Sequence, residues 1–281
     1  MIYNTLSSIT WNVDPVIFYI KHWGIRWYGL LLAIGFLLSY IVLGKTMLKE
    51  GFQQKIIDKF SIYIIVGTII GLRLGHCLFY EPEFYLSKPI EFFKVWKGGL
   101  ASHGGALGIL IAIFIFSKLS KLSYLGMLDK VVMIVPLAGG MVRLGNLMNH
   151  EIYGHSTNLP WGFKFIINLE GHFLKGEEVI YSQVSHPTQI YEALFYFIMF
   201  VSLYFVYKKF HENWKNGTFL GIFLIILFGF RFFIEFIKEN QSSFEDNMII
   251  DMGQLLSIPF VILGISLVIR QFTKTTSKKL K

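Results

Sequence analysis

Charged residues make up only 16% of this 281-residue chain, and cysteine occurs once. A soluble domain carries about 25% charged residues, so a soluble globular protein is excluded. With 54% hydrophobic residues the chain reads as an integral membrane protein. The lone Cys77 excludes an intrachain disulfide and, set in an apolar run, reads as a small buried hydrophobe. No ten-residue alternation of apolar and polar side chains occurs, which argues against a barrel. The first twenty residues lack a basic n-region and a compact apolar h-region, and Asp14-Pro15 interrupts them. A cleavable signal is therefore not expected, and a short amphipathic or irregular arm is. There is no HExxH and no acidic cluster suited to a hard cation, so no metal or other cofactor is implied. A G-x-S-x-G nucleophile elbow is also missing, which counts against a serine esterase.

What is present is a set of apolar stretches, near Trp23–Gly44, Phe60–Phe79, Gly99–Leu119, Met127–Leu147, Thr188–Tyr207, Thr218–Ile237 and Met252–Ile269. Each is close to the length of about 20 residues that spans a bilayer as a helix. The expectation is an all-α polytopic membrane protein of about seven spans, a single membrane domain over 1–281. One connection, Asn149 to Pro187, is long, and Trp161–Ile166 and Glu178–Val184 within it have strand character. A small external head of short strands and loops is expected there, since connections this long tend to be functional. The connection over 80–98 interleaves Phe84, Tyr85, Leu86, Ile90, Phe92, Phe93, Val95 and Trp96 with charges, which suits an amphipathic arm in the interface. The last eight residues read as a disordered basic tail.

The net charge of +8 raises the idea of a nucleic-acid partner, but its distribution is a topology signal. Lysines follow the first, third, fifth and seventh stretches (Lys45, Lys49, Lys55, Lys59; Lys118, Lys121; Lys208, Lys209, Lys215; Arg270, Lys274, Lys278, Lys279, Lys281), while the opposite connections are sparser. The positive-inside rule then puts the carboxyl terminus in the cytoplasm and the amino terminus outside. Alternation brings the polar residues to one membrane face: Arg26, Tyr28, His103, Gln189, Glu192 and Gln254 come early in odd spans, and Arg73, Arg143, Arg231 and Glu235 late in even ones.

Polar groups at that depth are costly and survive where they face a bundle interior or a reaction site. Gly139–Gly154 holds Arg143, Asn146, Asn149 and Glu151, a poor lipid-facing surface and a good receptor for an anion. An arginine there can merely snorkel to headgroups, but the adjoining amides and carboxylate favour an organised polar wall. His103, in Ala-Ser-His-Gly-Gly-Ala, is either a structural histidine bonded to a carbonyl or a group placed to exchange a proton. Arg231 and Glu235 share a helical face and form either a self-neutralised pair or an oriented arginine. Arg26 and Arg73 read as orientation anchors. His186-Pro-Thr-Gln-Ile-Tyr-Glu opens a span with Pro near the helix start, ordinary capping with site contact open to Gln189 and Glu192. Gly67, Gly71 and Gly75 recur every fourth residue and read as a helix-packing stripe. For Gly98, Gly99, Gly104, Gly105 and Gly108, around His103, close approach of a ligand competes with packing. Two arginines and a histidine at one depth suit a phospholipid phosphate, since guanidinium forks match phosphate oxygens.

At these residues the chain resembles the bacterial prolipoprotein diacylglyceryl transferases. Their signature, approximately Gly-Arg-x-Gly-Asn-φ-φ-Asn-x-Glu-x-x-Gly with φ apolar, is matched by Val142–Gly154 except at Val142 and Met148. Ile25-Arg-Trp-Tyr-Gly-Leu, Gly71-Leu-Arg-Leu-Gly, Ser102-His-Gly-Gly, His186-Pro-Thr-Gln-Ile-Tyr-Glu and Arg231-Phe-Phe-Ile-Glu-Phe look like further family blocks in family order. Leu227 stands where a tyrosine is often found, and Lys238-Glu-Asn replaces an Arg-Gln/Glu-Pro-Asp run. The resemblance implies transfer of the diacylglyceryl group of phosphatidylglycerol to the lipobox cysteine of a prolipoprotein signal peptide, in the bacterial cytoplasmic membrane. It implies His103 as candidate base, Arg143 and Arg231 as phosphate clamp, Glu151 and Glu235 as groups that orient them, and Tyr28, Asn146 and Gly154 as shapers of the headgroup pocket. The runner-up from the residues is a transporter or flippase of anionic lipid, which would favour a polar path toward both faces. A lipid-binding structural protein would need the arginines but not the histidine.

Overall fold

Helices dominate because long apolar runs must satisfy their own backbone in a lipid solvent. The computed structural model describes residues 8–20, 23–94, 99, 101–238 and 250–273. Among them, in chain order, lie α1 (Trp27–Lys49), α2 (Gln54–Phe79), the short α3 (Pro82–Ser87), α4 (Ser102–Ser120), α5 (Tyr124–Met148), the short α6 (Leu169–Lys175), α7 (Thr188–Phe210), α8 (Thr218–Ile234) and α9 (Met252–Phe272). Seven of these, all but α3 and α6, are long and apolar enough to cross a membrane, and the protein is a polytopic helical membrane protein with a small strand subdomain. The arm beyond Lys94, the residues after Lys238 and the basic tail fall largely or wholly outside the described residues.

The chain forms two compact units, Met1–Ser39 with Val132–Lys281, and Tyr40–Val131. In the second, α2 and α4 touch along their glycines. A Cβ on Gly71 would collide with the Gly104 carbonyl, and one on Gly75 would stand 2.7 Å from the Gly104 Cα. The stripe is thus a packing device, and Gly104 and Gly108 belong to it. Phe60 and Phe116 fill the space beyond the stripe with ring centroids 4.8 Å apart. Arg73, 2% exposed, donates from Nε to the Phe92 carbonyl at 2.8 Å and from Nη2 to that of Glu91 at 2.6 Å. It ties the 3-10 turn Pro89–Phe93 to α2, with its guanidinium 4.9 Å from the Tyr85 ring.

In the first unit the helices also meet through small residues and stacked rings. Phe195 of α7 lies on Phe230 of α8 at 3.7 Å, and Phe228 of α8 on Phe260 of α9 at 4.3 Å. Three sequence expectations change here. The amino-terminal arm is made of strands: β1 (Ile9–Trp11), β2 (Val16–Ile20) and β3 (Trp23–Arg26). The first span therefore begins at Trp27 rather than Trp23, because Trp23–Arg26 pairs antiparallel with β2. Only one of the two strand-like stretches in the head is a strand, β4 (Phe163–Phe165), which pairs in parallel with β1. The second, which follows α6, makes only isolated bridges, such as Ile166 with Tyr181. Leu147, Phe163 and Phe165 form the core of the head, with Trp11, Tyr153 and Ile190 against it.

Candidate functional site

The polar wall begins where α5 ends. Beyond Met148 the chain reverses through His150 and Ile152, both at positive φ, +55° and +60°. That conformation costs a β-branched residue about 1–3 kcal/mol. The start of α7 holds it: Gln189 Nε2 donates to the Glu151 carbonyl at 2.7 Å, and Thr188 Oγ1 to that of Ile152 at 2.9 Å. The reversal returns the Glu151 carboxylate toward the helix, where it accepts from Asn146 Nδ2 at 2.9 Å and Asn149 Nδ2 at 3.1 Å. Asn146 Oδ1 in turn accepts from Arg143 Nη1 at 3.3 Å. Glu151 is therefore linked to Arg143 through Asn146.

The carboxylate paired with Arg143 comes from α7. Glu192, whose side chain is 3% exposed, forms an ion pair with Arg143 Nε. One turn later Tyr196 stands beside the same guanidinium and acts on it electrostatically. Asn146 and Glu192 are two partners for a group with five N–H donors. From α8, Arg231 Nη2 lies 3.8 Å from Glu235 Oε1, and the Glu235 carboxyl rests on Gly253 of α9, where any Cβ would displace it. Lys238 closes the gap, with Nζ 3.2 Å from Glu192 Oε1 and 3.4 Å from Glu235 Oε2. Arg143, Glu192, Lys238, Glu235 and Arg231 thus alternate in sign along one network. Its Arg231 end is open, the side chain being 48% exposed against 19% for Arg143. Such an array can bind an anion between two guanidiniums whose carboxylates are already engaged.

Tyr28, at the start of α1, packs its ring on Gly145, where an added Cβ would come within 2.7 Å, and Arg143 and Glu151 both act on its hydroxyl electrostatically. Gly154 is buried against the end of α8. Its N–H donates to the His186 carbonyl at 2.9 Å, and a Cβ would collide with the Ile237 carbonyl. It lets two backbones approach rather than presenting a group of its own. Arg26 is exposed at the end of β3, and Gln254 completes a capping box with Asp251 while donating to the Phe232 carbonyl at 3.2 Å.

Two histidines of the head were not singled out in the sequence as site supports. His150 accepts from the Ile166 N–H through Nδ1 at 3.0 Å, so its proton sits on Nε2, which donates to the Val13 carbonyl at 2.8 Å. Burial pushes its pKa below the ordinary value, against a smaller opposite push from the Val13 bond. His186 is lowered by burial first and by His155 second.

In the other unit, His103 stands exposed in the first turn of α4. Its ring meets Phe79 edge-on at 5.4 Å and Tyr80 at 5.9 Å. The opposite neighbour of Tyr80 is His76, stacked at 5.7 Å and 3.9 Å from Glu81. His76, one helical step from the Arg73 block, carried no sequence signal of its own. No group of three or more His, Cys, Asp or Glu suited to a metal occurs among the described residues.

The family model for prolipoprotein diacylglyceryl transferase matches residues 15–270. The chain belongs to the prolipoprotein diacylglyceryl transferase family. A phosphatidylglycerol–prolipoprotein diacylglyceryl transferase of Porphyromonas gingivalis is 43% identical over 282 residues, covering 98% of each chain. One from Bacteroides fragilis is 41% identical over 274 residues, 93% of this chain and 95% of the relative, and one from Chloroherpeton thalassium 37% over 281 residues. With its seven apolar helices, this member of the diacylglyceryl transferase family is a multi-pass enzyme of the bacterial inner membrane. The transporter reading finds no support in that assignment. The family motif over Val142–Gly154 and the Arg231–Glu235 pair meet in one network of the first unit, joined by Glu192, Tyr196 and Lys238.

Proposed function

We infer that this chain transfers the diacylglyceryl group of phosphatidylglycerol to the thiol of a prolipoprotein lipobox cysteine. The observation that carries the reading is the alternating network running from Arg143 to Arg231. It supports a clamp in which both guanidiniums grip the phosphate of the lipid and stabilise the charge that develops as it departs. The cysteine sulfur attacks the glyceryl carbon that bears the phosphate. A carbon–sulfur bond forms, the carbon–oxygen bond breaks, and its electron pair leaves on glycerol phosphate. A thiol of pKa about 8.5 is mostly protonated at neutral pH, so the proton must go to a base, and His103 is that base in this reading. Its exposure at the start of α4 leaves the ring accessible. Glu235 orients Arg231, Glu151 holds Asn146 against Arg143, and Tyr28 and Gly154 shape the headgroup pocket.

The charge asymmetry of the connections supports an external amino terminus, a cytoplasmic carboxyl terminus and a site toward the outer leaflet. Within a single membrane domain, the head over 149–187 would receive the signal peptide and the arm over 80–98 would lie in the interface. The test uses purified protein in phosphatidylglycerol vesicles with a lipobox peptide, read by mass spectrometry. The peptide gains the diacylglyceryl mass with the unaltered chain and not with Arg143→Ala. No gain from a well-folded preparation overturns the reading, and undiminished transfer by His103→Gln removes that residue as the base.

A further inference from the structure

Lys238 belongs to none of the motifs that carry the family resemblance and stands where the chain departs from the family's usual run. Its side chain is nevertheless 7% exposed and reaches two carboxylates of different helices at 3.2 and 3.4 Å. A lysine is almost never this buried without such partners. The oxygens it faces, Glu192 Oε1 and Glu235 Oε2, are shut off from solvent and take no hydrogen bond among the described residues. Each of these carboxylates has an arginine on its other side. Glu192 Oε2 pairs with Arg143 Nε, and Glu235 Oε1 lies near Arg231 Nη2. The backbone of Lys238 is itself fixed, bridged to Gly154, with its N–H donated to the Glu235 carbonyl at 3.2 Å.

A carboxylate satisfied only by arginine turns both oxygens to the guanidinium in a bidentate fork. That fork is the surface a phosphate needs. We propose that Lys238 is a positioning residue that draws one oxygen of Glu192 and one of Glu235 toward itself, keeping both arginines single-sided and open to the phosphate of the lipid. The inference rests on the clamp described above, and it assigns Lys238 no contact with substrate. Without the ammonium, both carboxylates swing onto the arginines and compete with the phosphate. The loss falls on kcat/KM: KM rises as the ground-state grip on the phosphate weakens, and kcat falls as far as the arginines stabilise the departing phosphate.

The test uses full-length protein in phosphatidylglycerol vesicles with a lipobox peptide, comparing Lys238→Met, Lys238→Arg and the double variant Lys238→Met with Glu235→Gln. Direct binding of glycerol phosphate is measured alongside by calorimetry, so the outcome does not depend on turnover. Lys238→Met is expected to raise KM for phosphatidylglycerol and weaken glycerol phosphate about tenfold or more, the scale of one lost charge-assisted hydrogen bond. Lys238→Arg should stay within about threefold of the unaltered chain, within the usual context spread of such contacts. The double variant decides between positioning and mere structure: removing the competing carboxylate charge should recover part of the lost affinity. It also restores the local charge balance if the single variant does not fold. Unchanged glycerol phosphate binding in Lys238→Met, or a double variant that binds no better than the single one or, where that does not fold, no better than about tenfold below the unaltered chain, overturns the proposal. Absent transfer by the unaltered chain would instead count against the transferase reading, with the binding arm still deciding the role of Lys238.

Discussion

Glu192 is a point where a single change should tell, because its nearly buried carboxylate serves two cations, Arg143 and Lys238. Replacing it with alanine strips Arg143 of its ion pair and leaves Lys238 with Glu235 alone at 3.4 Å. At an effective dielectric of 20 the Glu192–Lys238 attraction at 3.2 Å amounts to about 5 kcal/mol before desolvation is subtracted. Breaking one side of a buried pair typically costs about 3–5 kcal/mol. The lower end applies here, since Lys238 keeps one partner and Arg143 keeps Asn146 and Tyr196. For a chain of this size about 3 kcal/mol corresponds to a fall in Tm of roughly 6–12 °C. The functional loss is separate. A charge-assisted hydrogen bond to Arg143 is worth about 1.5–3 kcal/mol, which is about 10- to 150-fold in kcat/KM if that bond fixes the guanidinium for the phosphate. Glu192→Gln, which keeps one acceptor for either cation but not both, should fall between. The assay is peptide diacylglycerylation per folded molecule below the variant's own melting range, with thermal unfolding in detergent run in parallel. A Glu192→Ala protein that melts early yet transfers within about twofold of the unaltered rate would reduce Glu192 to a structural pin and refute the clamp.

Stability should fall as pH drops below the ordinary histidine value of about 6.5. His150 and His186 both have folded values below it, so the unfolded chain binds more protons there, and stability present above that pH is lost on acidification. His150→Gln should flatten part of this dependence in thermal melts between pH 5 and 8, with His186 supplying the remainder; an unchanged slope would contradict the assigned Nε2 tautomer. Ile152→Gly removes the cost of a β-branched residue at φ +60° and should raise Tm by about 2–4 °C for each kcal/mol relieved. It should also slow transfer by loosening Glu151, and a lower Tm would show that the reversal is unstrained.

The spans were legible because length and hydropathy are local properties, and α2 showed its packing face through glycines four apart. The strands of the amino-terminal arm were not. Ile9 pairs with Phe163, so the partner that makes β1 a strand lies across most of the chain, and three residues of local pattern cannot announce it. Trp23–Arg26 was absorbed into the first span for a related reason, being apolar enough for a helix until β2 claims its backbone.

The site divides along the same line. Arg143, Asn146 and Glu151 are visible as a motif because they are neighbours in sequence, and Arg231 with Glu235 because four residues make one helical turn. Glu151 reaches Arg143 only through Asn146, and the carboxylate that pairs with the guanidinium comes from α7, at Glu192, where no local motif announces it. Tyr196 is one of 14 tyrosines and gains meaning only from standing one turn beyond Glu192. Lys238 looked like a lost motif residue. Burial changes its significance, because an ammonium removed from water must be matched by carboxylates, and the two it finds are those that face Arg143 and Arg231. A residue outside the quoted motifs is therefore the one that joins their two arginines.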